Sequence, residues 1–251
     1  MLTGCVSMLD TWPYPRWVAH RGAGKLAPEN TLAAFKLGAS YGFRMFECDV
    51  KLSGDGVPFL LHDDTLDRTT TGQGIAALRT WKELQKLDAG RWYSPAYAGE
   101  PIPSLDAIAA YCIENNFDLN IEIKPSTGTD QNTGAVVAEH AARLWQNSSR
   151  KPLLTSFKPD TLQAAQDAAP NLSRGLLLHE LWSGWLETGL MLGCSTIICN
   201  HRLWDTSSVT QAKSAGFRLV SYTVNEEADV ERLLALGTDG IITDRVDVFK
   251  P

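Results

Sequence analysis

Short hydrophobic runs alternate with segments of helical periodicity along most of the chain. The runs are rich in Val, Ile, Leu and aromatic residues and have the length of buried β-strands. This alternation is typical of βα units around a parallel sheet. The predicted strands are WVAH (17–20), RMFECDV (44–50), VPFLLH (57–62), LNIEIK (119–124), LLTSF (153–157), GLLL (175–178), TIICN (196–200), RLVSYTV (218–224) and GIITD (240–244).

Two segments between these strands show the helical pattern clearly. In 29–41 and in 225–236, apolar residues recur at steps of three and four, as on one face of a helix. Asn225 is suited to the N-cap position of the second helix, because acidic residues fill the turn that follows it. The predicted apolar faces are Leu32, Phe35 and Ala39 in the first helix, and Val230, Leu233 and Leu234 in the second.

Glycine recurs at the points where these helices should end. Gly42, Gly216 and Gly237 each precede a predicted strand. Glycine adopts the left-handed conformation that ends many helices, so these positions predict repeated helix-to-strand turns.

The nine predicted strands exceed the eight places of a closed barrel. Only Gly54, Asp55 and Gly56 separate VPFLLH from the segment FECDVKLS before it, too few residues for a helical crossover. An Asp-Gly turn favours a β-hairpin here, and a turn centred near 54–55 places Glu47 roughly opposite His62. We therefore predict a (β/α)8 TIM barrel over residues 1–251, in one domain, with a hairpin and helical excursion at about 51–117 between the second and third barrel strands.

Length and charge narrow the function. A chain of 251 residues is the usual size of one such barrel, and 44% hydrophobic residues suffice for a sizeable core. The formal net charge of −6 argues against nucleic acid as a partner, but a small anionic ligand remains compatible with it. The oligomeric state stays open, a homo-oligomer included.

The cysteines and the hydropathy predict a cytoplasmic location. The five cysteines form no Cys-x-x-Cys pair and are odd in number, which favours free thiols over disulfides. No stretch reaches the roughly 18 apolar residues of a membrane span. The LTGC sequence at 2–5 resembles a lipoprotein cleavage site, but no basic or apolar region precedes it.

Acidic residues cluster at the carboxyl ends of two predicted barrel strands. Residues two apart share a face of a strand, so Glu47 and Asp49 point one way, as do Glu122 and Lys124. The active site of a (β/α)8 barrel lies at this end. Three carboxylates brought together there repel one another, and all-oxygen ligation favours Mg²⁺ or Ca²⁺. The alternative is that each acid pairs separately with Arg or Lys at its strand end.

Histidine and basic residues end strands at the same predicted rim. His20 and His62 follow separate strands that approach the acidic cluster, which suits a pair of general acid-base catalysts. A lone histidine is more often structural, and the pairing is what favours catalysis. Arg21 and Lys124 add positive charge suited to phosphate oxygens. Together these residues predict a site that stabilises charge on a phosphoryl group.

Several separated motifs resemble the glycerophosphodiester phosphodiesterase family, from about Trp17 to Asp244. They are HRG followed by PENT, then ECD, LLHDDTLDRTT, IEIK and TDR, in the family's order. The resemblance implies hydrolysis of glycerophosphodiesters, such as glycerophosphocholine or glycerophosphoethanolamine, to sn-glycerol 3-phosphate and an alcohol. The segments WPYPR, GKLAPENTLAA and NIEIKP give the closest likeness, to the cytosolic bacterial members.

The family's residue roles carry over to matching positions. The resemblance implies His20 and His62 as the acid-base pair, with Arg21 and Lys124 contacting phosphate. It also implies that Glu47, Asp49 and Glu122 hold one divalent cation. Glu29 and Asn30 match the PEN motif and are assigned a supporting role at the helix start. Tyr222 is a departure, since the family often has Trp there, and it leaves the sugar-alcohol side of the pocket less defined.

Other polar and aromatic residues have weaker functional signals. Trp182 and Trp185 follow a strand and are assigned mainly to packing, although they could shape the pocket mouth. Asn200 ends a strand at the predicted rim, where a pocket role and a structural role are equally supported. The histidines without a partnered motif are predicted to be non-catalytic: His140, His179 and His201.

Three other functions compete with the phosphodiesterase. A metal-dependent sugar-phosphate isomerase or aldolase would share the carboxylates and Lys124, but it would explain the paired histidines less readily. A non-catalytic binding module would be expected to lack a histidine or a metal carboxylate, and none is missing. A lysophospholipase D-like enzyme would act on acylated substrates, which a chain without an evident membrane-binding helix makes less favoured.

Overall fold

Parallel strands close into a barrel in the computed structural model, which describes residues 12–251. The strands are β1 Trp17–Ala19, β2 Met45–Leu52, β3 Pro58–Leu60, β4 Asp118–Ile123, β5 Leu153–Ser156, β6 Ser173–Leu178, β7 Thr196–Asn200, β8 Arg218–Tyr222 and β9 Gly240–Thr243. Around the barrel they follow the order β1-β2-β4-β5-β6-β7-β8-β9, and β9 pairs with β1. The predicted (β/α)8 TIM barrel is confirmed.

Helices alternate with the barrel strands and cover the outside of the barrel. They are α1 Leu32–Ser40, α3 Leu105–Glu114, α4 Asp130–Leu144, α5 Pro159–Ala168, α6 Trp185–Met191, α7 Thr206–Ser214 and α8 Glu227–Leu236, while the short α2 Trp81–Leu84 belongs to the excursion between β2 and β4. Outward-facing strand residues such as Cys48, Ile121 and Ile123 pack beneath this helical layer. Their neighbours Glu47, Asp49 and Glu122 therefore point into the barrel, as the alternation predicts.

A separate hydrophobic cluster fills the inside of the barrel below the acidic residues. Its members are Val18, Met45, Leu153, Leu177, Ile198, Val220 and Ile242. Inward-pointing side chains of this kind make the barrel a packed core and close its lower end. The polar rim therefore lies above a layer of packed apolar side chains.

β3, which is not part of the barrel, forms the predicted hairpin with β2. β3 is antiparallel to β2, with Val50 paired to Leu60, and the Leu61 amide donates to the Asp49 carbonyl at 3.1 Å. The turn centres on Asp55 and not between residues 54 and 55, so the register differs by one residue from the predicted pairing of Glu47 with His62. The hydrogen bonds between the two strands end at Leu61. His62 is thus free to turn toward the barrel mouth.

The excursion between β2 and β4 continues beyond the hairpin. It contains β3, α2, α3 and 3-10 turns at Ala76–Leu78 and Pro95–Tyr97. The part before α3 has a small core of its own, formed by Phe59, Leu61, Leu66, Ala76, Leu84, Ala89 and Ile102. α3 instead packs against the barrel through Ile108 and Cys112.

The predicted glycine turns are confirmed. Gly42, Gly216 and Gly237 have φ values of 98°, 89° and 80°, in the left-handed region that favours glycine. Each therefore ends a helix and turns the chain toward the next strand.

Some helix details differ from prediction. α8 begins after Glu226, and no side chain caps it, so the prediction of Asn225 as N-cap is wrong. The Asn225 side chain instead bonds to Asp244, across the barrel rim. Val230 and Leu233 are buried as predicted, whereas Leu234 is 37% exposed because the apolar face of α8 is narrower than its sequence suggests.

The described cysteines are free thiols, as predicted. Cys48, Cys112, Cys194 and Cys199 are buried, and no disulfide joins them. Cys5 and the LTGC sequence lie outside the described residues. Among residues 12–251, no helix is both long and apolar enough to cross a bilayer.

Candidate active site

A cavity of about 820 Å³ opens at the carboxyl ends of the barrel strands. It collects side chains from β2, from β4 and from the segments that follow β1, β3 and β4, although these lie far apart in the sequence. Nearly all of the predicted site residues line it: His20, Arg21, Glu47, His62, Glu122 and Lys124. Asp49 lies just beneath the surface of the cavity, with 1% of the residue exposed.

The three predicted metal ligands meet in one cluster. Glu47, Asp49 and Glu122 each place a carboxylate oxygen within 4.8 Å of the others. Asp49 and Glu122 are direct neighbours across the parallel β2–β4 pair. The register of the two strands therefore builds the cluster without any contribution from a loop.

The electrostatics of this cluster favour a bound cation. Burial, reinforced by the charge of Asp49, raises the pKa of Glu47 to about 8. The same two causes raise the pKa of Glu122. Because the carboxylates destabilise one another's charge, a divalent cation would relieve the repulsion. The all-oxygen donor set fits Mg²⁺ or Ca²⁺.

Arg21 turns the chain sharply at the rim. Its φ of 49° lies in the left-handed region, which is uncommon for a residue with a side chain and often marks a functional site. The strained conformation lets its backbone amide donate to Glu47 at 3.0 Å, while Nη1 donates to Glu29 at 2.9 Å. Nε lies 3.1 Å from Asp49. Arg21 is thus fixed beside the acidic cluster from several directions.

The loop after Arg21 fits only because it carries glycine. A Cβ on Gly24 would lie 2.2 Å from the Asp244 backbone, and one on Gly22 would lie 2.8 Å from the Ala34 side chain. Both residues also have positive φ, at 57° and 99°. The glycines therefore let the first loop press against β9 and α1.

Asn30 supports the cluster from the start of α1. It is buried, and its side chain both donates to Asp49 at 2.8 Å and accepts from the Asp49 amide at 3.1 Å. Burial would raise the pKa of Asp49, but Arg21, Lys124 and this bond outweigh burial and lower it. Asp49 is thereby kept ionised.

Lys124 approaches the oxygen of Asp49 that neither Asn30 nor Arg21 contacts. Its Nζ donates to Glu122 at 3.1 Å and lies 3.7 Å from Asp49. Lys124 and Arg21 therefore flank the carboxylates with positive charge at the cavity floor. This is where a phosphate drawn to a cation would also meet two cationic side chains.

His20 is oriented by Asp244, which follows β9, the strand that closes the barrel against β1. Its Nδ1 lies 2.7 Å from Asp244, and Asp244 in turn accepts from the Asn225 side chain at 2.9 Å. Nε2 of His20 points to Glu47, at 3.9 Å. Burial alone would lower the pKa of His20, but the bond to Asp244 and the charge of Glu47 raise it.

His62 is oriented in the same way by its sequence neighbour. Its Nδ1 lies 2.6 Å from Asp63, which accepts from Arg68 Nε at 2.6 Å. Arg68 also donates to both oxygens of Glu29 at 2.8 Å, joining this chain of contacts to Arg21. Burial lowers the pKa of His62, since the opposing charge of Asp49 does not compensate.

Sequence reasoning missed the four residues that orient the two histidines. Asp244, Asp63 and Arg68 all stand inside motifs quoted above, TDR and LLHDDTLDRTT, but no role was assigned to them. Asn225 was placed at a helix cap. The sequence did offer a signal for Asp63, which directly follows His62, whereas the pairing of Asp244 with His20 depends on the closure of the barrel.

The residues of weaker signal divide between the cavity and the scaffold. Trp182 and His179 line the cavity. Trp185 is buried against Trp204, so it packs as predicted. Asn200 accepts from the Arg202 amide, starts a 3-10 turn, and does not line the cavity.

The other histidines pair away from the cavity. His140 contacts Asp106 at 2.5 Å, and His201 lies 3.3 Å from Asp229. Neither lines the cavity. Two histidines, a carboxylate cluster that could hold a metal ion and two cationic side chains thus lie around one cavity, and groups of these kinds can together cleave a phosphate ester.

Comparison with known proteins points in the same direction. Residues 20–248 match the model of the glycerophosphoryl diester phosphodiesterase family. A glycerophosphodiester phosphodiesterase of Caldanaerobacter subterraneus is 34% identical over 234 residues, which cover 90% of this chain and 93% of that protein. A glycerophosphodiester phosphodiesterase of Bacillus subtilis is 28% identical over 246 residues, which cover 92% of this chain and 84% of that protein.

A solved structure is similar over the same extent. A phosphodiesterase of Oleispira antarctica, determined in complex with the product sn-glycerol-3-phosphate, has a TM-score of 0.86 and 33% identity. The match covers 92% of this chain and 93% of that one. A glycerophosphodiester phosphodiesterase of Agrobacterium tumefaciens has a TM-score of 0.76 at 28% identity, covering 93% and 98% of the two chains.

Proposed function

The chain belongs to the glycerophosphoryl diester phosphodiesterase family, and from this premise we propose that it hydrolyses small glycerophosphodiesters. Glycerophosphocholine and glycerophosphoethanolamine are the expected substrates, and sn-glycerol 3-phosphate and an alcohol are the products. The observation that carries the proposal is the pair of histidines, each held at Nδ1 by an aspartate and both lining the cavity beside the acidic cluster.

The acidic cluster has the role of a metal site in this proposal. Glu47, Asp49 and Glu122 would hold one divalent cation, either Mg²⁺ or Ca²⁺. When bound, the cation supplies positive charge to the phosphoryl oxygens. Arg21 and Lys124 would bind the same phosphate group from its two sides, because both flank the cluster.

The histidines move the protons of the reaction. One imidazole takes a proton from the attacking hydroxyl, and the other returns a proton to the departing alkoxide. Asp244 and Asp63 keep each ring in the tautomer with a proton on Nδ1, so that Nε2 is the working atom. Asn225 and Arg68 hold those aspartates in turn.

A product assay tests the proposal. sn-Glycerol 3-phosphate release is measured from several glycerophosphodiesters, with and without a chelator, and with Mg²⁺ or Ca²⁺ added back. We expect His20→Ala and His62→Ala to lose at least about 100-fold in kcat, the usual scale of acid-base catalysis. His140→Ala is the matched control, because His140 lies outside the cavity.

Particular results would contradict this function. Full activity in His62→Ala would remove the acid-base assignment, and full activity after complete chelation would remove the cation. Binding of glycerophosphocholine without turnover would favour a non-catalytic module. Activity confined to acylated substrates would favour a lysophospholipase D-like enzyme. Turnover of a sugar phosphate without release of an alcohol would favour an isomerase or aldolase.

Two further expectations stand with this proposal. The free buried thiols support a cytoplasmic location. The packing of α3 of the excursion against the barrel supports the prediction of a single domain.

A further inference from the structure

An aromatic wall closes the cavity on the side away from the excursion. It consists of Phe157, His179 and Tyr222, which follow or end β5, β6 and β8. The imidazole of His179 stacks on Phe157 with ring centroids 3.9 Å apart and planes inclined by 10°. Tyr222 meets Phe157 edge-on at 5.8 Å. All three side chains line the cavity.

The hydrogen bonds of Tyr222 fix the tautomer of His179. The Tyr222 hydroxyl has one proton, and it donates that proton to the Leu178 carbonyl at 2.8 Å. Nδ1 of His179 lies 3.1 Å from the same hydroxyl oxygen. Because the hydroxyl proton is already used, Nδ1 must carry a proton and donate to it. The neutral ring then has its lone pair on Nε2.

Nε2 of His179 has no bonding partner among residues 12–251, although the ring is fixed by the stack and by Tyr222. Burial and the nearby charge of Lys124 lower the pKa of His179, which keeps the ring neutral at neutral pH. The lining of the cavity therefore includes a neutral, oriented acceptor that no described protein group occupies. Such an acceptor selects a ligand group that can donate a hydrogen bond.

The position of this acceptor relates it to the phosphate site. Glu122 of β4 pairs with Thr155 of β5, two residues before Phe157, and both Glu122 and Lys124 line the same cavity as the wall. The wall thus borders the side of the cavity where Lys124 and Glu122 lie. One ester arm of a phosphodiester bound there would extend along the wall.

We propose that Nε2 of His179 accepts a hydrogen bond from a hydroxyl of the glycerol arm, with Tyr222 as its positioning residue. The inference rests on the proposed function and adds to it the residue that recognises glycerol. The glycerol arm carries hydroxyl donors in every substrate of the class, whereas a choline head group has no N–H or O–H. The stacked rings also offer apolar surface to the carbon chain of that arm.

Two small phosphates test the proposal without any chemical step. Calorimetry in the presence of Mg²⁺ measures the Kd of sn-glycerol 3-phosphate and of propyl phosphate, which lacks both hydroxyls. We expect the wild-type chain to bind the glycerol compound about three- to tenfold more tightly. In His179→Phe the ring stack is kept and the acceptor is lost. We expect that ratio to fall to about one, with the Kd of propyl phosphate unchanged.

Two more variants separate the acceptor from a structural role. Gln can place its side-chain oxygen near the position of Nε2, so His179→Gln should restore part of the preference. Tyr222→Phe removes the partner of Nδ1 and should reduce the preference without removing it. Turnover of glycerophosphocholine by His179→Phe should show a KM raised about three- to tenfold at a kcat close to that of the wild type.

The outcomes distinguish this inference from the proposed function. A wild-type chain that hydrolyses glycerophosphocholine, with an unchanged ligand ratio in His179→Phe, would overturn the inference and leave the function standing. A loss confined to glycerophosphoethanolamine turnover would also overturn it, because His179 would then recognise the head group. Absence of all turnover in the wild type would instead overturn the proposed function.

Discussion

Each catalytic histidine proposed here depends on one carboxylate and on what holds that carboxylate. Asp244 binds His20 and is itself held by Asn225, while Asp63 binds His62 and is held by Arg68. The pKa values of the two histidines are shifted in opposite directions. Asp244 and Glu47 raise the pKa of His20 although burial opposes this, whereas burial lowers the pKa of His62. The two rings are therefore chemically distinct despite their similar contacts.

Replacing Asp244 tests this dependence at the level of one residue. In Asp244→Asn, the charge that raises the pKa of His20 is lost, so that pKa should fall. Whether His20 acts as the general acid or the general base, the limb of the pH profile of kcat/KM that reports its ionisation should move to lower pH. We also expect kcat/KM to fall about 100- to 10,000-fold, because His20 loses the carboxylate that orients it for proton transfer.

Asp247→Asn is the control for this substitution. Asp247 pairs with Arg245 at the surface, 3.3 Å away, and touches neither histidine. Its pH profile should match the wild type. An Asp244→Asn profile that does not move would show that His20 is not the titrating group.

Among the elements, the first loop of the barrel and the excursion form one connected rim. Arg68 of the excursion binds Glu29, just before α1. Glu100 accepts from the Ala33 amide in the first turn of α1 at 2.9 Å. Tyr93 donates to the Lys25 carbonyl at 2.8 Å. The excursion therefore positions both its own His62 and the loop that follows His20.

Removing Arg68 should weaken catalysis more than stability. Arg68→Gln leaves Asp63 without its arginine partner and leaves Glu29 paired with Arg21 alone. His62 and Arg21 are then held less firmly through these two carboxylates. We expect kcat/KM to fall about 10- to 100-fold. The Arg68 side chain is 44% exposed, so solvent screens much of the charge and the melting temperature should fall by only about 1–4 °C.

The comparison variant is Arg91→Gln. Arg91 also pairs with an aspartate of the excursion, Asp88 at 3.4 Å, but it lies away from the cavity. Its kcat/KM should equal that of the wild type. Equal activity in Arg68→Gln and Arg91→Gln would show that the rim contacts do not orient the site.

For the whole molecule, the barrel places negative charge where burial disfavours it. The pKa of Glu47 rises from its usual value of 4.5 to about 8, so the folded chain binds a proton more tightly than the unfolded chain. Protonation of Glu47 thus favours folding. The stability of the metal-free protein should fall as the pH rises from about 4.5 through about 8.

A divalent cation should reverse this loss. We expect Mg²⁺ or Ca²⁺ at 100-fold excess over Kd to raise the melting temperature by about 5–10 °C at pH 8, and by less at pH 5, where protons compete. Thermal unfolding with and without the ion at both pH values measures the difference.

Two substitutions to glutamine check where the ion acts. Glu47→Gln should flatten the pH dependence of the metal-free protein and reduce the shift caused by the ion. The exposed Glu139→Gln on α4 should leave both unchanged. An undiminished shift in Glu47→Gln would show that the ion binds elsewhere.

The sequence by itself determined the barrel and most of its rim. Hydrophobic runs, glycine turns and a three-residue gap were enough for the strands and the hairpin, since these depend on local periodicity and turn chemistry. The alternation of side chains along β2 and β4 also predicted that Glu47, Asp49 and Glu122 would face inward together. Pairing of β2 with β4 then brings these three carboxylates together, because Asp49 and Glu122 are direct neighbours in the register.

Only the tertiary structure decided which side chains hold the reactive ones. Asn225 has the features of a helix cap in the sequence, yet closure of β9 against β1 brings Asp244 to it and to His20. Arg68 reaches Glu29 only because the excursion folds back over the first loop. His179 acquires its tautomer from Tyr222, on a strand two places away in the barrel. Contacts between distant segments depend on how the ends of the strands converge, and local patterns carry no information about that convergence.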